Sequence, residues 1–256
     1  MNIRDDNVLR ELNLYPLWVR RDVPVAAVPI KEEGRLDGGE ADTRQAKPSE
    51  AAMGIEALNP SYVAEAPTVP ALSWPELKQQ VRDCTACSLR AGCMQTVFGV
   101  GDENADWLFV GEGPGEDEDA QGEPFVGPSG KLLDNMLAAI KLKRGSNVYI
   151  ANVIKCHPPE NRTPHVDEIV RCLPYLQRQI ALVKPKLIVA LGKIAATALL
   201  GKEATLGSLR GTLHDYYGVP LIITYHPAYL LRMPAEKAHA WDDLRLAMDA
   251  MQKLTD

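Results

Sequence analysis

No apolar run in this 256-residue chain approaches the roughly 18 residues that a membrane-spanning helix needs. The opening Met1-Asn-Ile-Arg-Asp-Asp-Asn7 lacks the basic-then-apolar order of a secretory signal, so the expected compartment is the cytosol, where thiols stay reduced. An excess of positive charge is also missing: 28 Lys and Arg face 34 Asp and Glu, a net charge of −6. Residues 1–75 carry eight Lys or Arg against twelve Asp or Glu, a net of −4, which leaves −2 for residues 76–256. The larger part is therefore nearly neutral, which neither supports nor excludes a local basic groove. Phosphate-loop signatures are absent too. The turn Gly111-Glu-Gly-Pro-Gly115 has neither Gly-x-Gly-x-x-Gly spacing nor a Gly-Lys-Ser/Thr ending. Aromatic residues make up 6% of the chain and phenylalanine occurs 3 times, so a Phe in a loop stands out.

What is present begins with 46% hydrophobic residues, enough for one good core and an appendage. Residues 23–72 are rich in Ala, Pro and Glu without a sustained period, and read as a disordered linker that buries too little apolar surface to order itself. Ahead of it, residues 1–22 carry the apolar cluster Val8, Leu9, Leu12, Leu14, Tyr15, Leu17, Trp18 and Val19, which reads as a docking peptide. Its Glu11-Leu-Asn-Leu-Tyr15 is similar to the short peptides that bind the bacterial sliding clamp, with Glu where Gln is usual. The alternative is a short helix that packs on its own domain.

From residue 73 onward, apolar runs at 106–111, 147–153, 186–192 and 220–225 read as buried strands. Helical patterns at 74–83, 129–142, 166–183, 193–200 and 235–254 surround and separate them. The expected fold is a three-layer α/β/α sandwich around a central parallel four-stranded sheet. Ligands of such sheets bind at the carboxyl ends of the strands, and each unusual stretch here follows a strand.

Four cysteines form two distant pairs, Cys84-x-x-Cys87 and Cys156 with Cys172. Four thiolates suit zinc or an iron–sulfur cluster, and one tight pair plus two spread residues fits a cuboidal cluster better than a zinc ribbon. Buried, unligated cysteines are the plain alternative. Cys93 has no partner at useful spacing and reads as packing or a spare thiol.

On the expected rim, Glu112 could orient a water or stabilise a developing cation. The acidic run Glu116–Asp119 could equally solvate the surface or hold a divalent metal. Phe125, in a loop between glycines, could stack on a planar ring or plug a core. Asn152 offers an acceptor beside a donor, the pattern that reads a pyrimidine's amide edge, although strand-end Asn also forms turns. His226 would aim an imidazole at the rim. Lys193 and Arg232 are candidate phosphate contacts, and Tyr229, Leu230 and Leu231 could wedge into a duplex.

In order along residues 80–256 these pieces comprise Cys84-x-x-Cys87, Gly111-Glu-Gly-Pro-Gly115, Glu118-Asp119, Pro124-Phe125-x-Gly127, Asn152-x-x-Lys-Cys156, Asn161-Arg-x-Pro164, Cys172 and His226-Pro-x-x-x-Leu-Arg232. The region resembles the family 4, iron–sulfur uracil-DNA glycosylases. The resemblance implies a [4Fe–4S] cluster of structural role on Cys84, Cys87, Cys156 and Cys172. It implies that Glu112 and His226 are catalytic, that Gly113, Phe125 and Asn152 frame the uracil, and that Glu118 and Asn161 lie near it. His157 stands where many members carry Arg. The implied activity is hydrolysis of the N-glycosidic bond of uracil in single- and double-stranded DNA, the first step of base excision repair of deaminated cytosine. A monomeric, nucleoid-associated enzyme with its catalytic domain over 73–256 is expected.

Overall fold

The computed structural model describes residues 71–255, and the docking peptide and most of the linker expected from the sequence lie outside them. Six strands form one sheet: β1 (Val100–Gly101), β2 (Trp107–Gly111), β3 (Val148–Asn152), β4 (Leu187–Leu191), β5 (Leu213–Tyr216) and β6 (Val219–Thr224). Their spatial order is β1-β3-β2-β4-β6-β5. The central β3-β2-β4-β6 set is parallel, as expected. The expected four-stranded sheet is extended by β1 and β5, which pair antiparallel at its two edges.

Every residue of β2, β3 and β4 is buried, because helices cover both faces and leave no solvated side for polar residues. Successive side chains point to opposite faces and feed two separate cores. Leu108, Val110, Ile188 and Ala190 pack on one face with Leu176, Ile180 and Ala195. Trp107, Phe109, Val189 and Leu191 pack on the other with Leu133, Leu137, Leu244 and Ala247.

The helices are α1 (Trp74–Arg82), α2 (Leu89–Gly92), α3 (Glu116–Gln121), α4 (Pro128–Ala139), α5 (Val166–Val183), α6 (Lys193–Leu200), α7 (Leu206–Leu209), α8 (Pro227–Arg232) and α9 (Lys237–Thr255). Three of them start with a glutamate in the first turn that reaches back to an otherwise unpaired backbone donor. Glu76 accepts the Ser73 N–H at 2.8 Å, Glu118 that of Gly115 at 3.0 Å, and Glu168 that of His165 at 2.7 Å.

One buried charge ties the layers together. Lys155 is 1% exposed, and its Nζ donates to the Asn152 carbonyl at 2.8 Å and to Gln179 Oε1 at 2.6 Å. Burial lowers its pKa to about 8, still high enough to keep an ammonium donor at neutral pH. Gln179, on α5, also donates to the Phe98 carbonyl at 2.9 Å. Gln179→Leu should remove one acceptor from a buried cation and destabilise the fold by about 2 kcal/mol, read as a lower urea midpoint at unchanged slope.

Candidate active site

The parallel register sets the site. Gly111 at the end of β2 pairs with Asn152 at the end of β3. The ladder runs two residues further through Val153 N–H to the Gly111 carbonyl at 2.9 Å and Ile154 N–H to that of Glu112 at 3.1 Å. Across the sheet, Gly192 N–H donates to the Thr224 carbonyl at 2.8 Å, and a Cβ on Gly192 would stand 3.0 Å from that of His226. All four central strands thus deliver their tips to one rim, where a cleft of about 600 Å³ opens. Glu112, Gly113, Glu118, Phe125, Asn161, His226 and Arg232 line it.

Asn152 lies just behind this lining. It is 2% exposed, and its Oδ1 is buried without a hydrogen-bond partner. A Cβ on Gly111 would come within 2.4 Å of that oxygen and 2.5 Å of Phe125 Cζ, so only glycine leaves room for amide and ring together. The Phe125 and His226 rings face each other at 5.5 Å between centroids, tilted by 31°. Glu118 joins the loops around them: besides Gly115 N–H, its carboxylate accepts those of Val126 at 2.9 Å and Gly127 at 3.2 Å.

His226 caps the short α8, and its Nδ1 accepts the Ala228 N–H at 3.2 Å. An accepting Nδ1 carries no proton, so the neutral ring holds its proton on Nε2. Burial pulls the imidazole pKa down to about 4, the positive charge of Arg232 adds to the effect, and Glu118 opposes it. Glu112 is half-buried and its carboxyl is pushed up by burial. Asn161 adopts a left-handed φ of 53° and its Oδ1 lies 3.0 Å from His157 Nε2.

Two expected DNA contacts lie elsewhere. Leu230 is 1% exposed and belongs to the core beneath α8, because the turn that exposes Leu231 points its neighbour inward. Leu231, at 45% exposure, is the leucine available to a duplex. Lys193 does not line the cleft and instead pairs with Glu203 at 3.2 Å. Arg144 went unnoticed in the sequence: it sits in the loop after α4, outside every motif, yet it donates to the carbonyls of Pro124 and Phe125.

Cys84, Cys87, Cys156 and Cys172 line one cavity beside the segment that follows β3, and none forms a disulfide. Cys172 Sγ accepts the Lys155 backbone N–H at 3.2 Å. Burial pushes the Cys172 thiol up to about 11 and that of Cys156 higher still. Among the described residues, no three His, Cys, Asp or Glu side chains group tightly enough to hold a single metal ion. Cys93 is buried near Cys156, with its sulfur 3.7 Å from an Arg90 nitrogen.

The strand tips of this mostly parallel α/β/α sandwich thus bring a phenyl ring and a neutral imidazole to one cleft, with a buried amide just behind them, at the end of the sheet where α/β enzymes bind their ligands. The profile of the uracil DNA glycosylase superfamily matches residues 98–245, and the chain belongs to that superfamily, in its type-4 branch. It is 42% identical over 181 residues to a type-4 uracil-DNA glycosylase of Pyrobaculum aerophilum, a match that covers 67% of this chain and 91% of that protein. The match to the type-4 enzyme of Archaeoglobus fulgidus is 42% over 170 residues, 63% of this chain and 85% of the relative. That to Thermotoga maritima is 43% over 158 residues, 61% and 82%.

The lowered His226 pKa has a measurable consequence. Between pH 6.5 and about 4 the unfolded chain binds a proton at this ring that the folded one does not, so this group makes stability fall as pH drops through that window. Urea titrations should show that slope, and His226→Gln should flatten it by close to one proton.

Proposed function

We infer that the protein excises uracil from DNA by hydrolysing the N-glycosidic bond, and so initiates base excision repair of deaminated cytosine. The observation that carries this reading is the unpartnered Asn152 Oδ1, buried just behind the cleft beside Gly111, where the Phe125 ring also sits against the His226 ring. A buried acceptor without a donor is costly, and a ligand that brings an N–H removes that penalty. Uracil presents N3–H beside O4, which matches the amide's oxygen and nitrogen. Cytosine presents a bare N3 and an amino group, which would leave the amide mismatched at a cost of about 1–3 kcal/mol.

The target nucleotide must leave the stack, which costs a few kcal/mol. Leu231 would fill the gap it leaves, Arg232 would meet a phosphate, and Phe125 would stack on the extruded base. Bond cleavage places positive charge on the sugar and negative charge on the uracil. His226, with its proton on Nε2, donates to the uracil oxygen as charge gathers there, and backbone N–H groups near Gly113 assist. Glu112, with little solvent around its carboxylate, faces the sugar, stabilises the cation and orients the water. The burial that keeps His226 neutral suits it to donate a hydrogen bond without first losing charge.

The four cysteines fit a [4Fe–4S] cluster: all are free thiols and they line one cavity, a soft four-sulfur donor set. When bound, the cluster would supply a fixed tie between the turn after α1, the loop after β3 and α5. Residues 73–256 form the catalytic domain of a monomer that acts on single- and double-stranded DNA at the nucleoid. Residues 23–72 serve as a linker, and residues 11–15 as a ligand of the sliding clamp.

Uracil release from single- and double-stranded oligonucleotides tests the activity. His226→Ala should slow it on the order of 10²–10³-fold, and Asn152→Ala should be comparably impaired while both remain folded. Wild-type rates in both would refute the assignment. For the cysteines, the purified protein should be brown and contain iron and labile sulfide in equal amounts; a colourless protein with stoichiometric zinc would exclude the cluster.

A further inference from the structure

Phe125 has a φ of 57°, the left-handed region that a bulky side chain avoids. The strain persists because the loop is gripped from both sides. Glu118 takes the N–H groups that follow Phe125. Arg144 takes the carbonyls: Nη1 donates to Pro124 and Nη2 to Phe125, each at 2.8 Å. Its Nε is braced by Asp134 on α4 at 3.0 Å. Beneath, α4 presses so close that a Cβ on Gly130 would lie 1.8 Å from the Phe125 carbonyl oxygen.

We propose that Arg144 is the positioning residue for the Phe125 ring: its guanidinium fork, braced by Asp134, holds the strained 124–125 backbone so that the ring stands ready to stack on the extruded base. Arg144 does not line the cleft, so it acts through Phe125 rather than on the substrate. Two parallel donors plus a third in one rigid plane are a property of arginine; a lysine ammonium cannot span both carbonyls and Asp134 in the same geometry. The inference rests on Phe125 as the uracil platform, and the experiment separates the two.

Steady-state uracil release and inhibition by free uracil are measured for wild type, Phe125→Ala, Arg144→Ala, Arg144→Lys, Asp134→Ala and the Phe125→Ala/Arg144→Ala double variant, each with its melting temperature. Phe125→Ala should lower kcat/KM on the order of 10–100-fold, the worth of one stacking contact. Arg144→Ala should lose about tenfold, with free uracil inhibiting more weakly in parallel, and Arg144→Lys should not rescue it. The double variant should be no worse than Phe125→Ala alone, because both changes remove the same platform. Losses that multiply in the double variant, or unchanged kcat/KM and uracil inhibition in Arg144→Ala, overturn the proposal. If Phe125→Ala itself is unimpaired, the platform reading fails first and the proposal falls with it. Asp134 is half exposed on its helix, so Asp134→Ala keeps the test readable if Arg144→Ala does not fold: a several-fold loss in the same two readouts supports the fork, and none sinks it.

Discussion

The cleft depends on one buried carboxylate. Glu118 is 8% exposed and accepts three backbone N–H groups, from Gly115 on one loop and from Val126 and Gly127 on another. Those donors belong to the turn that carries Glu112 and to the loop that carries Phe125, so a single side chain ties together two loops that line the cleft. The Glu118 charge also reaches His226, where it partly offsets the effect of Arg232.

Around this bracket several polar groups are left open. Asn152 Oδ1 lacks a partner, the Nε2 proton of His226 has no acceptor among the hydrogen bonds seen, and the Glu112 carboxylate is partly dry. Elsewhere the same fold satisfies its buried charges closely: Asp243 meets Arg210 at 2.7 Å, and Glu168 meets both nitrogens of the Arg162 fork.

Much of this was legible in the chain. Continuous apolar runs located the four parallel strands, because strands covered on both faces have no polar side to break the run. The rule that ligands sit at strand tips then gathered Glu112, Asn152 and His226 onto one rim. The edge strands escaped detection: β1 is two residues long, and β5 is mostly solvent-exposed, so neither carries an apolar signature. Leu230 and Leu231 look alike in sequence, and only the orientation of α8 separates core from surface. Lys193 followed a strand, as the phosphate-contact reading required, but its side chain turns to an acidic neighbour. Arg144 could not be seen at all, since nothing local distinguishes a surface arginine from one that grips two carbonyls some twenty residues away in sequence.

Helix α5 ties these parts into one lever. Near its start Glu168 holds Arg162 at the lip of the cleft, one turn later Cys172 faces the thiol cavity, and further on Arg178 holds the Leu72 carbonyl while Gln179 holds Lys155. Eleven residues from Glu168 to Gln179 span about 16 Å of helix, with Pro174 between them. The thiol cavity and the edge of the cleft therefore share one helical support, and a change of Cys172 falls on the same helix that holds Arg162.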